Sequence, residues 1–141
     1  NTSEAKQPFP ASLQSLFAPL TLAKFIEEFW GQHPLAISQS AQDFRGLANW
    51  DALAAIVAQS ESDILVVRKG ERYSGAVPHC ISELRTLIND GFTVLVRHAE
   101  RHDGRLRQLA SELTSTFHAE ADVHIYATPA GSHGFGWHYD A

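Results

Sequence analysis

Apolar residues recur at helical spacing in four stretches of the chain. The stretches are bounded by residues that begin or end helices, such as the expected N-cap Thr21 and the terminator Gly31. Pro19 divides the first stretch into two parts, because proline interrupts the backbone hydrogen bonding of a helix. The predicted helices cover Leu13–Trp30, a segment that begins at Asn49 or Asp51, Ser82–Asn89 and Gly104–Phe117.

Runs of β-branched and other apolar residues predict strands, mostly in the second half of the chain. Asp63–Arg68 and Phe92–Arg97 are nearly uninterrupted apolar runs of the kind found in buried strands. Apolar and polar positions alternate in Ala121–Thr128, which is typical of a strand with one exposed face. We also expect a short edge strand at Pro34–Ser38. The pattern as a whole predicts a mixed α and β fold with strands accumulating toward the C-terminal end.

Composition and charge exclude several classes of function. The chain is 44% hydrophobic and 19% charged, as in a globular protein, and it has no apolar run long enough to cross a membrane. Its net charge of −5 disfavours direct binding of nucleic acid. Its one cysteine, Cys80, cannot form an internal disulfide, which favours a reducing compartment such as the cytoplasm. None of these properties sets the oligomeric state, and an oligomer stays open.

His138 and Asp140 are the strongest candidates for metal ligands. Residues two apart on a strand point to the same face, with Cα atoms about 6.6 Å apart, so their side chains can converge on one cation. Two histidines and one carboxylate form the facial triad of Fe(II) oxygenases, and this pair supplies two of the three. The spacing also occurs by chance, and the alternative is an ordinary polar pair at the start of a strand.

A second histidine pair, His98 and His102, has the i, i+4 spacing at which one helical turn can hold zinc. The pair follows a predicted strand and lies in no helical apolar pattern, so we expect a solvated loop there instead. The surrounding residues 97–107 are rich in arginine and histidine. We expect them to form a solvated entrance to the next helix rather than a surface for RNA or an acidic partner.

The last 17 residues resemble a known family. A strand that contains Tyr126 and Thr128 ends at Pro129, and a glycine- and serine-rich loop then leads to the His138-Tyr-Asp140 motif. This segment resembles the entrance to the catalytic barrel of the JmjC-type ribosomal oxygenases, the cupin-4 group. The order of predicted helices and strands from about Phe29 onward is similar as well. The resemblance implies an α+β fold in which a helical, α/β N-terminal region leads into the first strands of a double-stranded β-helix.

The resemblance also implies roles for individual residues. His138 and Asp140 correspond to the first two ligands of Fe(II), and 2-oxoglutarate is the implied cosubstrate. Tyr126 corresponds to a tyrosine that faces the cosubstrate and substrate pocket, and His124 and Thr128 share its face of the predicted strand. The family's third ligand and the basic residue that binds 2-oxoglutarate come later than Ala141. We therefore expect a truncated barrel, and no activity from these 141 residues alone.

The resulting prediction has three segments: a flexible lead-in at 1–10, the α/β part of an oxygenase domain at 11–120, and the first barrel strands at 121–141. The predicted activity is hydroxylation of a protein side chain, such as one on a ribosomal protein. The His-Tyr-Asp string is also similar to asparaginyl hydroxylases of the same superfamily. A different class of function is a non-catalytic, cupin-like module that binds a peptide or small ligand without turnover.

Overall fold

The structure is a computed structural model that describes residues 13–39 and 42–138. These residues divide into two compact units, the first ending at Leu47 and the second beginning at Ala48. The lead-in predicted for residues 1–10 and the predicted iron ligand Asp140 lie outside the described residues. The candidate site residues that are described all belong to the second unit.

The first unit contains two short helices, α1 (Leu13–Leu16) and α2 (Leu22–Glu28), and a 3₁₀ helix spans Gln42–Ala48 at the boundary. The predicted N-cap of α2 is confirmed, because Oγ1 of Thr21 accepts a hydrogen bond from the Lys24 amide at 3.1 Å. The rings of Phe17 and Phe25 stack with their centroids 4.2 Å apart.

The edge strand predicted at Pro34–Ser38 is wrong. Residues 34–37 have no regular secondary structure, and the one sheet among the described residues contains no part of this segment. A strand needs a partner for its backbone groups, and Pro34 offers no N–H to one. The apolar residues that suggested a strand here are too few to decide the matter without that partner.

Three longer helices belong to the second unit: α3 (Trp50–Val57), α4 (Ile81–Asn89) and α5 (Gly104–Phe117). The start predicted at Asn49 is confirmed, since its side-chain oxygen accepts from the Ala52 amide at 2.9 Å. Each helix buries an apolar face, as its helical spacing predicts. The buried residues are Ala52, Leu53, Ile56 and Val57 on α3, Leu84 and Leu87 on α4, and Leu106 and Ala110 on α5. None of the helices in the described part of the chain is long and apolar enough to cross a membrane.

Four strands form one antiparallel sheet in the order β2-β1-β3-β4. The strands are β1 (Asp63–Arg68), β2 (Glu71–Arg72), β3 (Thr93–Arg97) and β4 (Ile125–Ala127). Leu95 in the middle of β3 lies opposite Leu65 of β1 and opposite Tyr126 of β4. Together with the helices, this sheet confirms the α+β class, and the sheet is compatible with part of a cupin fold.

The last strand is shorter than the predicted Ala121–Thr128. β3 ends at Arg97, which the register sets opposite His124, so residues 121–123 have no strand to pair with. His98 then adopts a left-handed conformation with φ of 51°, which turns the chain away. One further backbone contact remains, from the Ala99 amide to the Val123 carbonyl at 2.8 Å. Residues 121–124 therefore approach the sheet without joining its ladder.

The N-cap of α5 carries a carboxylate with a shifted pKa. Asp103 accepts hydrogen bonds from the backbone amides of Arg105 at 2.8 Å and Leu106 at 3.2 Å. Burial raises the pKa of this carboxyl. The hydrogen bonds from the Arg105 side chain and from the two amides, together with the Arg105 charge, lower the pKa by more than burial raises it. The pKa of Asp103 therefore lies below its ordinary value of 3.8. A lowered pKa in the folded state stabilises the fold above the ordinary pKa, and this stabilisation is lost as pH falls through the folded value.

We predict that Asp103→Ala lowers the free energy of unfolding by about 1 kcal/mol at neutral pH, because α5 loses its cap. Asp103→Asn keeps a capping oxygen and should lose less. Urea unfolding at pH 7 and at about pH 3 measures both effects. The difference between wild type and Asp103→Asn should shrink at the lower pH, and a constant difference would show that the charge contributes nothing.

Candidate active site

The loop that follows β4 is held at the Thr93 end of the central strand. The Gly70 amide, in the turn between β1 and β2, donates to the Gly134 carbonyl at 2.8 Å. The Thr93 hydroxyl donates to the Thr128 hydroxyl at 3.1 Å, where the chain leaves β4. Gly134 is buried against the Thr93 side chain. These contacts position the loop that carries His138.

Phe135 connects two of the predicted site residues. Its ring meets the Tyr126 ring edge-on, with centroids 5.8 Å apart, and the His138 ring with centroids 6.0 Å apart. No sequence motif singles out Phe135. The sequence offers one indication of its role, which is that Phe135 stands between Gly134 and Gly136. An aromatic ring flanked by glycines has space to pack against a neighbouring strand.

The imidazole of His138 has a defined tautomer. Its Nδ1 lies 2.8 Å from the Gly136 carbonyl oxygen, which can only accept a hydrogen bond, so Nδ1 carries the proton. In the neutral ring, the lone pair is then on Nε2. A backbone carbonyl bound to one ring nitrogen is the usual means by which proteins orient a metal-binding histidine. His138 therefore fits the role of an iron ligand through Nε2.

The partner predicted for His138 lies outside the described residues, so the His138–Asp140 pair stays a prediction. Iron at this position would need that carboxylate and at least one further ligand. His138 is a suitable donor, and its orientation is set by the backbone.

Two recesses lie beside the contacts that Phe135 makes with Tyr126 and His138. The β4 groove, of about 430 Å³, contains Tyr126 and Thr128 from the predicted pocket. The loop recess, of about 520 Å³, contains His138 and Phe135. Other residues of the β4 groove include Trp50, Leu53 and Ile88, and those of the loop recess are His133, Gly136 and Trp137. The loop recess has mainly apolar walls with a few polar groups, which is typical of ligand sites. The predicted pocket residues and the predicted ligand thus line separate recesses, with Phe135 between them.

His124 lies near the opposite end of the sheet and lines neither of these recesses. It is exposed, like Tyr126 and Thr128, as the predicted alternation requires. Its ring stands edge-on to that of His98, with the centroids 5.9 Å apart. Its role in a cosubstrate pocket stays a prediction.

His98 belongs to a cluster that no sequence motif predicts. Its Nδ1 lies 3.5 Å from Oε1 of Glu100 and 3.4 Å from Oδ1 of Asp122. Histidine, glutamate and aspartate are side chains that can bind metals. The nitrogen and oxygen atoms that these three residues would offer all lie within 4.8 Å of one another. His102, the partner suggested by the i, i+4 spacing, instead has its Nδ1 3.0 Å from Oε1 of Gln59. No sequence spacing indicates Asp122, because the approach of residues 121–124 to the end of β3 brings it there.

Carboxylates accompany several arginines of the basic segment 97–107. Arg97 pairs with Asp63 at 2.8 Å, and Arg105 pairs with Asp103 at 3.3 Å. Nε of Arg101 lies 3.8 Å from Glu100. The expectation that this segment is a solvated helix entrance and not a surface for RNA stays a prediction.

No established family profile matches the chain, but individual relatives do. It is 24% identical over 137 residues to the bifunctional lysine-specific demethylase and histidyl-hydroxylase NO66 of Drosophila mojavensis, covering 91% of this chain and 15% of that protein. It is 25% identical over 138 residues to the protein of the same name from Drosophila melanogaster, covering 91% of this chain and 21% of the relative. It is 26% identical over 149 aligned positions to ribosomal oxygenase 2 of Mus musculus, covering 90% of this chain and 30% of that protein.

These similarities are weak, but they extend over most of the chain. The relatives carry two different names, and both names describe oxygenases. They support a relationship to oxygenases of the JmjC type at the level of the family. The chain spans only 15% to 30% of the length of these relatives.

We predict that Gly134→Ala displaces the loop that carries His138. A Cβ at this position would lie 2.6 Å from Cβ and Oγ1 of Thr93, which is too close for ordinary contact. The free energy of unfolding should fall by about 1–3 kcal/mol, and the Gly70 amide should exchange its hydrogen faster. Gly136→Ala is the matched control, since a Cβ there meets nothing within 4 Å. Equal stability of the two variants would contradict the close packing of Gly134 on Thr93.

Proposed function

We propose that this chain is part of an Fe(II)- and 2-oxoglutarate-dependent oxygenase that hydroxylates a protein side chain. The observation that carries the proposal is His138, whose Nδ1–H donates to the Gly136 carbonyl and leaves Nε2 as the ligating nitrogen. The weak similarity to proteins named as oxygenases supports it independently.

In this proposal His138 and Asp140 hold Fe(II) together with a third ligand, as a facial triad requires. Iron and 2-oxoglutarate, when bound, supply the oxidising chemistry. The chain's own residues provide the surroundings. Phe135 packs between Tyr126 and His138 and sets the spacing of the two rings. Tyr126, half-exposed in the β4 groove, offers a hydroxyl to the cosubstrate or substrate.

The proposed substrate is a side chain of a ribosomal or similar protein. The relatives' names include a histidyl-hydroxylase and a ribosomal oxygenase, and these names favour hydroxylation of a protein. The exposed indole of Trp137, next to His138, is suited to contact a polypeptide at the loop recess. The proposal places the protein in a reducing compartment such as the cytoplasm, in keeping with the free thiol of Cys80.

The test is formation of succinate from 2-oxoglutarate by the whole protein that contains this chain, supplied with Fe(II). Turnover should fall at least about a hundredfold in His138→Ala, since the metal contributes several kcal/mol to such a reaction. His79→Ala is the matched control, because that imidazole is exposed and takes no part in the proposed site. If the iron-loaded wild type and His138→Ala are equally inert, the oxygenase proposal fails and a non-catalytic, cupin-like binding module is the better description.

A second prediction concerns the hydroxyl of Tyr126. Tyr126→Phe keeps the edge-on contact with Phe135 but removes one hydrogen-bonding group, worth about 1 kcal/mol. We expect KM for 2-oxoglutarate or for the protein substrate to rise about fivefold, with kcat changed much less. Steady-state kinetics with each substrate varied in turn measure both constants. Unchanged constants for both substrates would remove Tyr126 from the pocket.

A further inference from the structure

We propose that His98, Glu100 and Asp122 form a binding site for a divalent transition-metal ion such as Zn²⁺, separate from the candidate iron site. This clip site lies where β3 ends and where the chain approaches β4. It depends on none of the residues of the proposed oxygenase site, so either proposal can fail without the other.

The distances within the clip site match those between ligands of one small cation. Zinc binds imidazole nitrogen and carboxylate oxygen at about 2.0–2.2 Å, and a tetrahedral arrangement places neighbouring ligand atoms roughly 3.3–3.5 Å apart. Nδ1 of His98 lies 3.5 Å from the Glu100 oxygen and 3.4 Å from the Asp122 oxygen. The two oxygens lie within 4.8 Å of each other. The side chain of Asp122 is 57% exposed, so a small rotation of it is enough to shorten the distance between the Asp122 and Glu100 oxygens.

The state of His98 argues against a simple ion pair. Its Nδ1 is buried and has no hydrogen-bond partner among the described residues, although two carboxylates stand next to it. A protonated Nδ1 in an ion pair would donate to one of them. In a tetrahedral metal site the nitrogen lone pair points at the metal, and each neighbouring ligand oxygen lies roughly 35° away from that axis. The nitrogen and the oxygens are then close together without being aligned for a hydrogen bond. A cation would give the buried nitrogen a partner. Without one, the free-energy cost of burying this polar atom is not compensated.

Glu100 is already oriented for this role. Its Oε2 accepts a hydrogen bond from the Val123 amide at 2.9 Å, and its Oε1 is the oxygen next to His98. Metal-binding carboxylates are commonly held in this way by a second hydrogen bond. Glu100 is mostly buried, whereas Asp122 is open to solvent, so one side of the site gives an ion and a water ligand access.

The position of the site favours a structural role. Residues 98–100 follow β3, and residues 122–123 precede β4, so a bound ion would fasten the end of the central strand to the segment that enters its neighbour. Five residues of β3 separate His98 from Gly134, which packs on Thr93, and they span roughly 16 Å along the strand. An ion at the clip site therefore acts on the fold, and its ligands do not include His138.

Titration with ZnCl₂ tests the site, with the chain carrying His138→Ala so that zinc at the candidate iron site is not counted. Calorimetry should show one equivalent bound with micromolar Kd, and zinc should raise the midpoint of thermal unfolding. Asp122→Asn should weaken binding at least about tenfold, because loss of a direct ligand costs no less than loss of a supporting contact. The Asp122 carboxylate is exposed and lies next to the His98 imidazole at the surface of the fold, so the variant should fold normally.

Two further variants distinguish the clip site from a zinc site built on the i, i+4 histidine pair. His98→Asn should weaken binding, and asparagine tolerates the left-handed backbone at this position. His102→Ala should leave binding unchanged, whereas a site built on the histidine pair would lose it. X-ray absorption should show one imidazole and oxygen ligands at about 2.0–2.1 Å. The proposal is overturned if no zinc binds at micromolar concentrations, or if Asp122→Asn binds it as tightly as the parent.

Discussion

The pairing of β3 with both of its neighbours is the interaction on which the second unit depends. Val94 and Val96 are 1% and 0% exposed, and Leu95 lies opposite both Leu65 and Tyr126. Burial of each such side chain contributes about 1.5–3 kcal/mol. Val94 and Val96 lie on one face of the sheet and Leu95 on the other, so in the observed register β3 buries apolar side chains on both faces.

That register sets what lies at each end of the strand. At the Thr93 end, the Thr128 hydroxyl and the buried Gly134 hold the loop of His138. At the other end, the left-handed turn at His98 brings its imidazole to Glu100 and Asp122. One buried strand thus has the loop of His138 at one end and the side chains of His98, Glu100 and Asp122 at the other. The first supports the proposed oxygenase and the second the proposed structural ion.

Much of the fold could be predicted from the sequence because local patterns determine it. The bounds of β1 and α5 agree with the predicted Asp63–Arg68 and Gly104–Phe117, since each combines a strong periodic pattern with clear end residues. The length of β4 could not be predicted in this way, because it depends on where β3 ends. The Pro34–Ser38 strand failed for a related reason, as no partner pairs with it among the described residues.

The candidate sites divide along the same line. His138 and Tyr126 were found from a local motif and a resemblance, and both lie around Phe135, whose contacts no motif indicates. The histidine pair His98 and His102 suggested the right residue type but the wrong partner. Asp122 reaches His98 across 24 positions of chain only because the sheet folds that way. Contacts that depend on strand pairing stay hidden from spacing rules.

The central claim is that His138 is a ligand of the catalytic metal. Anomalous diffraction from crystals of the whole protein that contains this chain, grown with Mn²⁺ in place of iron and with 2-oxoglutarate, tests it directly. The account predicts a metal peak within bonding distance of Nε2 of His138, with Nδ1 still bound to the Gly136 carbonyl. A metal bound elsewhere, with the His138 ring turned away from it, would contradict the account.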